Sequence, residues 1–527
     1  MTCRRQRRLA RYLATVLAVA SLASACGSSS NPSATGGADA SAAADADPNA
    51  TLRIGMSMAS AGGTFIDPAQ FNGNGAGNTP HQMLIFDSMI HETAEGLKPG
   101  LATDVKAVDD QTLELTLRDG VSFQDGTTFD ANAVKTSWDR IIASTTMVKT
   151  AELKALESVE VLAPNKVRVH LSAPQAAGWM LRFLRDATPL GVSSPAALQA
   201  QGATYDRPVG AGPYKLVEYD PNQKVILEKF DGYWDAASYK IKRIEIINTD
   251  AGAPQVTALA SKTVDMAIVT PATAAAAEQQ GFTVQETPQN GAAFLRFCTS
   301  KPPFDTPEAR EAVAFALDRD AIAATQSGFG SVQTLPINSG AAAEWKQYRA
   351  EDLADSDAFD LTKAKQLATK GGITPGTKVT MLYPVGPEPQ AAAEEIQLEL
   401  KEIGVDVSLQ QTTNQVQDLA KLSPELYLSS ALDPRFLISA FLPGPIDLCN
   451  FDDPKVHEPF VRTRSALSTP DQVTQAWKEF QEGLLDVKPG TFLYATPVLV
   501  ATSNKVKGLN YVYIGQVPDL RNVIVTK

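Results

Sequence analysis

Hydrophobic and polar residues alternate along several short segments in the first half of the chain. In "QTLELTLRDG", Leu113, Leu115 and Leu117 alternate with polar residues and are followed by Asp119 and Gly120. This pattern predicts a half-buried strand that ends in a turn. The same alternation on both sides of a Pro-Asn pair in "VEVLAPNKVRVHLSAP" predicts a hairpin, and "KIKRIEIINTD" predicts a further strand.

A helical period lies between these strands. In "TTFDANAVKTSWDRI", Val134, Trp138 and Ile141 fall on one helical face, and Asp130 can cap the helix N-terminus. The first half therefore combines helices with a predominance of antiparallel strands.

The second half predicts a different arrangement, which begins near Ala292. There "AFLRFCTSKPPFD" is extended, and "TPEAREAVAFALDRDAI" is a helix with Thr306 as its N-cap and Pro307 in its first turn. Further on, the strand "TKVTMLYP", the helix "PEPQAAAEEIQLELKEIG" and the strand "VDVSLQQ" follow in that order. This is a βαβ unit, which requires a parallel strand pair covered by the helix.

The N-terminus has the layout of a secretory signal peptide. Arginines at positions 4, 5, 7, 8 and 11 precede a short apolar run, and "LASAC" ends at Cys26. The cysteine after small residues resembles a bacterial lipobox, so we expect cleavage after residue 25 and lipidation of Cys26; plain secretion is the alternative. Residues 26–49 contain no large apolar residue after the cysteine, which predicts a flexible tether.

The charge of the chain argues against nucleic-acid binding. Removal of residues 1–25, which contain five arginines and no acidic residue, takes the formal net charge from −12 to −17. "GAGPYKLVEY" does not indicate a phosphate loop either, because alternating residues rather than a helix follow its glycines. In addition, Pro213 lacks an N–H donor.

Catalytic and metal-binding signatures are missing as well. The chain has four histidines, and "HETAE" at His91 lacks the second histidine of a zinc-protease helix. No G-x-S-x-G motif occurs, and neither mature cysteine has a local catalytic signature. We therefore expect a protein that is not an enzyme and that has no cofactor or resident metal. Apart from Cys3 and Cys26, the cysteines are Cys298 and Cys449, for which a disulfide and two buried free thiols are equally compatible with the sequence.

Five blocks, in order, resemble the extracytoplasmic solute-binding proteins of ABC importers in the peptide/nickel class (family 5). They are "TFIDPAQFN", the long segment from "GLKPGLATDV" to "TSWDRI", "PVGAGPYKLVEY" with Trp234, "ALASKTVDMA", and "FCTSKPPFDTPEAREAVAFALDRDAI". The likeness extends over residues 51–527.

This resemblance implies an α/β fold of the type II periplasmic-binding-protein class, with two lobes, an extra inserted subdomain, and mixed sheets with flanking helices. The implied parts are a discontinuous first lobe, an insert and a second lobe. We place the first lobe at 50–79, 205–291 and 492–527, the insert at 80–204 and the second lobe at 292–491.

The family resemblance also points to candidate ligand contacts in the cleft between the lobes. They are Phe65, Tyr383, Tyr427, Ser429, Ser430 and Asp433. Residues of the kind of Phe65 and Tyr383 are more often core residues, and Asp433 with Pro434 could shape a turn. Dipeptide-type members carry an aspartate where this chain has Ser430, and arginine where it has Gln390 and Ala391. A hydroxyl cannot neutralise a buried ammonium group, which argues against recognition of free dipeptides. The family usually has asparagine at the position of Cys298, which is consistent with pairing to Cys449.

The resulting functional hypothesis is a monomeric lipoprotein on the outer face of the cytoplasmic membrane. It would capture a solute, with an oligopeptide as the first candidate, and deliver it to the permease and ATPase subunits of an importer. It would contact the membrane only through its lipid. The alternative is an envelope lipoprotein of the same fold that binds a non-peptide solute, or that acts as a regulator or scaffold without transport.

Overall fold

The computed structural model describes a set of ranges within the chain, all of which belong to one unit, Ser41–Lys527. The ranges are 45–56, 66–70, 80–93, 96–145, 147, 151–173, 184–185, 187–202, 205–220, 222–249, 252–287, 291–339, 341, 346–353, 357–413, 415–430, 441, 448–463, 465, 469–509, 512–513 and 517–527. The predicted signal peptide and most of the predicted tether lie outside them.

The strands are β1 (Thr51–Met56), β2 (Ile90–Thr93), β3 (Gly96–Pro99), β4 (Ala102–Asp109), β5 (Thr112–Leu117), β6 (Leu156–Ala163), β7 (Lys166–Leu171), β8 (Tyr214–Asp220), β9 (Lys224–Lys229), β10 (Arg243–Asn248), β11 (Met266–Val269), β12 (Thr283–Thr287), β13 (Ala293–Phe297), β14 (Ser331–Val332), β15 (Thr377–Pro384), β16 (Val405–Thr412), β17 (Leu426–Ser430), β18 (Gly490–Ala495), β19 (Val498–Thr502), β20 (Val506–Lys507), β21 (Val512–Tyr513), β22 (Val517–Pro518) and β23 (Ile524–Val525).

The α-helices are α1 (Pro80–Phe86), α2 (Ala131–Ala143), α3 (Ala151–Lys154), α4 (Ala187–Leu190), α5 (Pro195–Gln201), α6 (Ala253–Ala260), α7 (Pro271–Gln279), α8 (Pro307–Ala316), α9 (Arg319–Ala324), α10 (Leu361–Lys370), α11 (Pro387–Lys401), α12 (Gln415–Leu422), α13 (Pro454–Thr463) and α14 (Pro470–Val487). Short 3-10 turns occur at Pro68–Gln70, Ala236–Ser238 and Glu351–Leu353.

The first lobe is built on a seven-stranded mixed sheet with the order β12-β19-β11-β1-β10-β9-β8. Strand β1 pairs in parallel with both β10 and β11, while the outer pairs are antiparallel. Alternate residues of β1, including Leu52 and Ile54, are buried with Ile244 and Ile246 on one face. Helices α6 and α7 pack with Ala267 and Val269 in the cluster on the other face, so the sheet is buried on both sides.

The second lobe is built on a six-stranded sheet with the order β14-β18-β13-β17-β15-β16. Strands β15 and β16 are parallel and are joined by α11, as the βαβ pattern predicts. The alanine-rich face of α11 packs with α8 and the sheet in one core. The predicted capping of α8 is confirmed, because the Thr306 hydroxyl accepts a hydrogen bond from the Ala309 amide at 3.4 Å.

The inserted subdomain is a four-stranded antiparallel sheet, β4-β5-β7-β6, covered by α2. Trp138 of α2 is fully buried, and its indole N–H donates to the Leu190 carbonyl at 3.0 Å. The Asp130 carboxylate accepts a hydrogen bond from the Ala133 amide at 2.9 Å, so the predicted N-cap of α2 is confirmed.

The glycines of "GAGPY" lie where the insert returns to the first lobe, at a junction with the end of α1. The Gly212 amide donates to the Ile85 carbonyl at 2.8 Å. A Cβ atom on Gly210 or Gly212 would meet main-chain oxygens of α1 at 2.1 and 2.4 Å. Neither glycine has a positive φ, so their role is close approach of two backbones rather than a tight turn.

The side chain of Gln124, from the turn "FQDG", completes this junction. Its amide nitrogen donates to the carbonyls of Ile85 and Tyr214 at 2.9 and 2.6 Å, and its oxygen accepts from the Gly210 amide at 3.2 Å. Two motifs that are 86 residues apart in the chain therefore meet at one buried amide.

Two neighbouring connections join the sheets of the first and second lobes. One leads from β12 to β13, and its residues 288–290 lie outside the described ranges; the other is 496–497, between β18 and β19. Because β12 pairs with β19 and β13 pairs with β18, both antiparallel, the strand ends that these connections join lie side by side. We call the two connections the hinge pair.

The sheets and cores modify two of the predicted lobe boundaries. Strand β18 stays paired with β13 up to Tyr494, so the chain returns to the first lobe at 496–497 rather than at 492. Leu84, Ile85 and Phe86 of α1 pack in the core of the first lobe, so the insert begins after residue 86 rather than at 80. In both cases the hydrophobic pattern continues across the predicted boundary.

Candidate functional site

The carboxyl ends of the parallel strands in both lobes point to the hinge pair. In the first lobe, Val269 at the end of β11 lies opposite Leu499 at the start of β19. In the second lobe, Ser430 at the end of β17 lies opposite Ala293 at the start of β13. The edges formed by these strand ends, here called the interlobe edges, are where ligands bind in open α/β sheets.

Three of the predicted contacts lie on β17 and have different surroundings. Tyr427 and Ser429 are both buried, at 2% and 8% exposure, and alternate onto one face of the sheet. Ser430 is the exposed last residue of the strand. Of the three, Ser430 alone presents its side chain to solvent at the interlobe edge.

Tyr383 lies on the opposite face of the same sheet. It is 7% exposed and packs in the core that α8 and α11 form over β15. This position matches the core alternative for Tyr383. Because adjacent strand residues point to opposite faces, Tyr383 and Tyr427 cannot contact the same ligand atom through this sheet.

The Tyr427 ring lies in a polar niche behind the edge. The guanidinium carbon of Arg296, its register partner on β13, lies 5.7 Å from the ring centroid. Burial raises the pKa of Tyr427 to about 12, although Arg296 and Ser429 act in the opposite direction. Tyr427 therefore stays a neutral donor and acceptor across the physiological pH range.

Cys298 and Cys449 are joined by a disulfide with a Cα–Cα distance of 5.3 Å. Cys298 directly follows β13 and is fully buried with Tyr427, Leu382 and Leu448. The Ser300 hydroxyl also donates to the Cys449 carbonyl at 3.4 Å. The disulfide thus attaches the segment that contains Cys449 to the central strand, beside the niche of Tyr427.

On the first-lobe side, residues 66–70, the next described segment after β1, are held by an ion pair. Asp67 is fully buried, and its carboxylate accepts two hydrogen bonds from the Arg140 guanidinium, one of them 2.6 Å long. These bonds raise the pKa of Arg140. The Asp67 carboxylate also accepts from the Ala69 amide at 3.0 Å. The pair joins this segment to α2 of the insert.

Three of the predicted site residues, Cys26, Phe65 and Asp433, lie outside the described residues. Sequence reasoning missed Asp67, Arg296 and Gln124. The only signal for Asp67 was its place in the quoted block "TFIDPAQFN". The sequence "AFLRF" predicts a strand but does not predict that Arg296 is buried, because an arginine in a strand usually faces solvent.

The described residues contain no group of three or more His, Cys, Asp or Glu side chains placed to hold a metal ion. Within the same ranges, the helices all fall short of the length and apolar character that a membrane span requires.

Comparison with known proteins gives a family match and a fold match. Residues 96–439 match the model of "Bacterial extracellular solute-binding proteins, family 5 Middle". The glutathione-binding protein GsiB of Escherichia coli O6:K15:H31 is 28% identical over 293 residues. That alignment covers 54% of this chain and 55% of GsiB, so the match spans about half the length of the curated relative.

Solved structures with a similar fold cover most of the chain. DppA from Helicobacter pylori, in complex with the peptide STSA, superposes with a TM-score of 0.73 at 19% identity, covering 91% of this chain and 98% of DppA. NikA from Staphylococcus aureus, in complex with Ni(L-His)2, gives 0.70 at 19% identity, covering 90% and 99%. Both show the type II periplasmic-binding-protein fold.

The family model covers more than half of the chain. The family serves transport by binding solutes outside the cytoplasm for ABC permeases and does not include enzymes. The chain therefore belongs to family 5 of the bacterial extracellular solute-binding proteins of ABC importers.

Proposed function

We propose that this protein captures an oligopeptide between its two lobes and delivers it to the permease of its importer. The observation that carries the proposal is the end of β17, where an exposed hydroxyl, Ser430, lies at the interlobe edge. Peptide backbones can be held there by strand-like hydrogen bonds, which need no charged partner.

The same position argues for peptides longer than a dipeptide. A free dipeptide brings an ammonium and a carboxylate into a closed site, and an unpaired buried charge costs several kcal/mol. Ser430 can accept a hydrogen bond from the ammonium but cannot neutralise it. A longer peptide can place its charged termini away from this position.

The relatives support a peptide ligand to different degrees. DppA of Helicobacter pylori binds a tetrapeptide in its structure, and GsiB is named for glutathione, which is itself a small peptide. NikA binds a nickel–histidine complex with the same fold, so the fold alone does not select the ligand class.

Ligand identity can be tested with the purified protein. We would identify co-purifying compounds by native mass spectrometry and then measure thermal unfolding with glutathione, dipeptides, and peptides of four to nine residues. A binding peptide raises the unfolding temperature with concentration, since stabilisation grows as RT ln(1 + [L]/Kd). We expect shifts from the longer peptides and none from dipeptides.

A matched variant makes the test specific to the site. Ser430→Asp restores a carboxylate, so we expect it to gain affinity for dipeptides with a free amino group. If neither wild type nor Ser430→Asp responds to any peptide, while a nickel–histidine complex or another solute does, the peptide proposal is wrong. An empty protein that responds to no compound would favour the regulatory or scaffold alternative.

We further propose that Cys26 carries the lipid that holds the protein at the outer face of the membrane. Two or more acyl chains make such anchoring stable. Cys26→Ala should move the protein from the membrane fraction to the soluble fraction, and N-terminal peptide mass should lose the acyl groups. A Cys26→Ala variant that remains membrane-bound would contradict the anchor.

A further inference from the structure

The two lobes contact each other through a carboxylate beside the hinge pair. The Glu388 Oε1 atom, in the first turn of α11 in the second lobe, accepts a hydrogen bond from the Ala272 amide at 3.1 Å. Ala272 lies in the first turn of α7 in the first lobe. The bond thus joins two helices that follow directly after β11 and β15, at the interlobe edges.

The Ala272 amide is a donor that its own helix cannot satisfy. The first four N–H groups of a helix have no partner within the helix. Thr270 and Thr273 form a capping box, and Pro271 has no N–H. Ala272 is therefore left with an outward-pointing N–H, and the partial positive charge of the helix N-terminus favours an anionic acceptor.

Glu388 is held in place from the second lobe. Its backbone carbonyl accepts a hydrogen bond at 3.3 Å from the amide nitrogen of Gln326, which is 2% exposed. The N-cap of α11 is Gly386, which has no side chain to cap the helix. The Glu388 carboxylate consequently lies near the N-termini of two helices, which is electrostatically favourable for an anion.

Neighbouring contacts place this bond close to the hinge. Phe329, which follows α9 in the second lobe, packs against the α6–α7 cluster of the first lobe. The pKa of Tyr494, on β18, is raised mainly by burial and in second place by the nearby charge of Glu388. A rotation of the lobes that separates α11 from α7 would break the bond between Glu388 and Ala272.

We propose that Glu388 is an interlobe latch that sets the equilibrium between open and closed forms. The inference depends on the two-lobe architecture and not on the peptide ligand proposed above. In the form described here the latch is engaged. Its loss should shift the population to forms in which the lobes have rotated apart, because closing no longer gains this charge-assisted bond.

The test uses the full chain without ligand, so that its outcome is independent of what the protein carries. Glu388→Ala removes the acceptor, and Glu388→Gln keeps an oxygen but removes the charge. Glu394→Gln is the matched control, since it makes the same charge change on the same helix, where its partner is Gln390. Hydrogen exchange of the Ala272 amide reports the bond, and the radius of gyration from small-angle X-ray scattering reports the lobes.

We expect exchange at Ala272 to rise about 5- to 30-fold in Glu388→Ala, the factor that corresponds to a bond of 1–2 kcal/mol. Glu388→Gln should be intermediate, and added salt should reduce the difference between it and wild type. The radius of gyration should increase from wild type to Glu388→Gln and further to Glu388→Ala. Faster exchange without a change in the radius would show a local helix cap and would overturn the latch, as would unchanged exchange. Should Glu388→Ala fail to fold, the near-isosteric Glu388→Gln decides by the same two readouts.

Discussion

Removal of the Cys298–Cys449 disulfide is expected to destabilise the second lobe by several kcal/mol. The bond joins residues 151 positions apart, so it closes a large loop in the unfolded chain. With the chain-entropy relation, a loop of this length corresponds to about 5 kcal/mol at 25 °C. Because reduced or unfolded states retain some structure, about 2–4 kcal/mol is the range to expect in an experiment.

The perturbation is the double variant Cys298→Ala/Cys449→Ala, which avoids both a free thiol and a buried hydroxyl. Cys298 is fully buried, so alanine also loses the packing of one sulfur. Urea unfolding of wild type with and without reductant, beside the double variant, separates the two effects. Reductant should destabilise wild type and leave the double variant unchanged.

The same experiment can also contradict the pairing of Cys298 with Cys449. Intact mass after alkylation under denaturing conditions counts free thiols and shows whether the bond is formed. A variant within about 0.5 kcal/mol of wild type, or two alkylated thiols in the untreated protein, would contradict the pairing. A loss of stability confined to the double variant, with no response of wild type to reductant, would assign the effect to packing alone.

Three further predictions concern single residues. Gly212→Ala should cost about 1–3 kcal/mol in urea unfolding, because its Cβ would lie 2.4 Å from the Leu84 carbonyl oxygen. A cost below about 0.5 kcal/mol, the size of a surface effect, would contradict the close-approach role. Asp67→Asn should cost about 2–4 kcal/mol by the same assay, because it leaves the Arg140 charge without its buried carboxylate. A cost below about 0.5 kcal/mol, the size of a surface effect, would contradict this role. Burial raises the pKa of Glu399 to about 8, so its contribution to stability is greatest below about pH 4.5 and is lost as the pH rises through about 8. The variant Glu399→Gln keeps the acceptor for the Asp318 amide. Because Glu399 is partly exposed, we expect this variant to be only about 1–2 kcal/mol more stable than wild type at pH 9, and equal to it at pH 4. Identical pH profiles of stability in the two proteins would refute the raised pKa of Glu399.

Local patterns were sufficient for most individual elements. The Asp130 cap, the Thr306 cap and the βαβ unit around α11 all depend on residues close together in sequence, and each is present as predicted. The boundaries of the lobes were harder to predict, because β18 and α1 have continuous hydrophobic patterns. Which core receives such an element is decided by long-range contacts.

The candidate site shows the same division between local and distant information. Tyr383 and Tyr427 lie on opposite faces because of the register of β15 and β17, in which Leu382 lies opposite Tyr427; alternation within one strand does not give that register. The burial of Arg296 beside Tyr427 and the meeting of Glu388 with Ala272 could not have been predicted this way. Both depend on which strands and helices become neighbours, and no single segment carries that information.

The two junctions of the first lobe differ physically, and this difference determines which parts move. At the insert junction, the Gln124 amide bonds main-chain groups from both sides, and Gly210 and Gly212 bring the backbones into direct contact. Rotation there would leave several buried polar groups without partners, at about 1–3 kcal/mol each. Between the first and second lobes, the contact described above is the bond of Glu388 to the Ala272 amide. The first lobe and the insert should therefore move as one body, and the second lobe should rotate against them when solute binds.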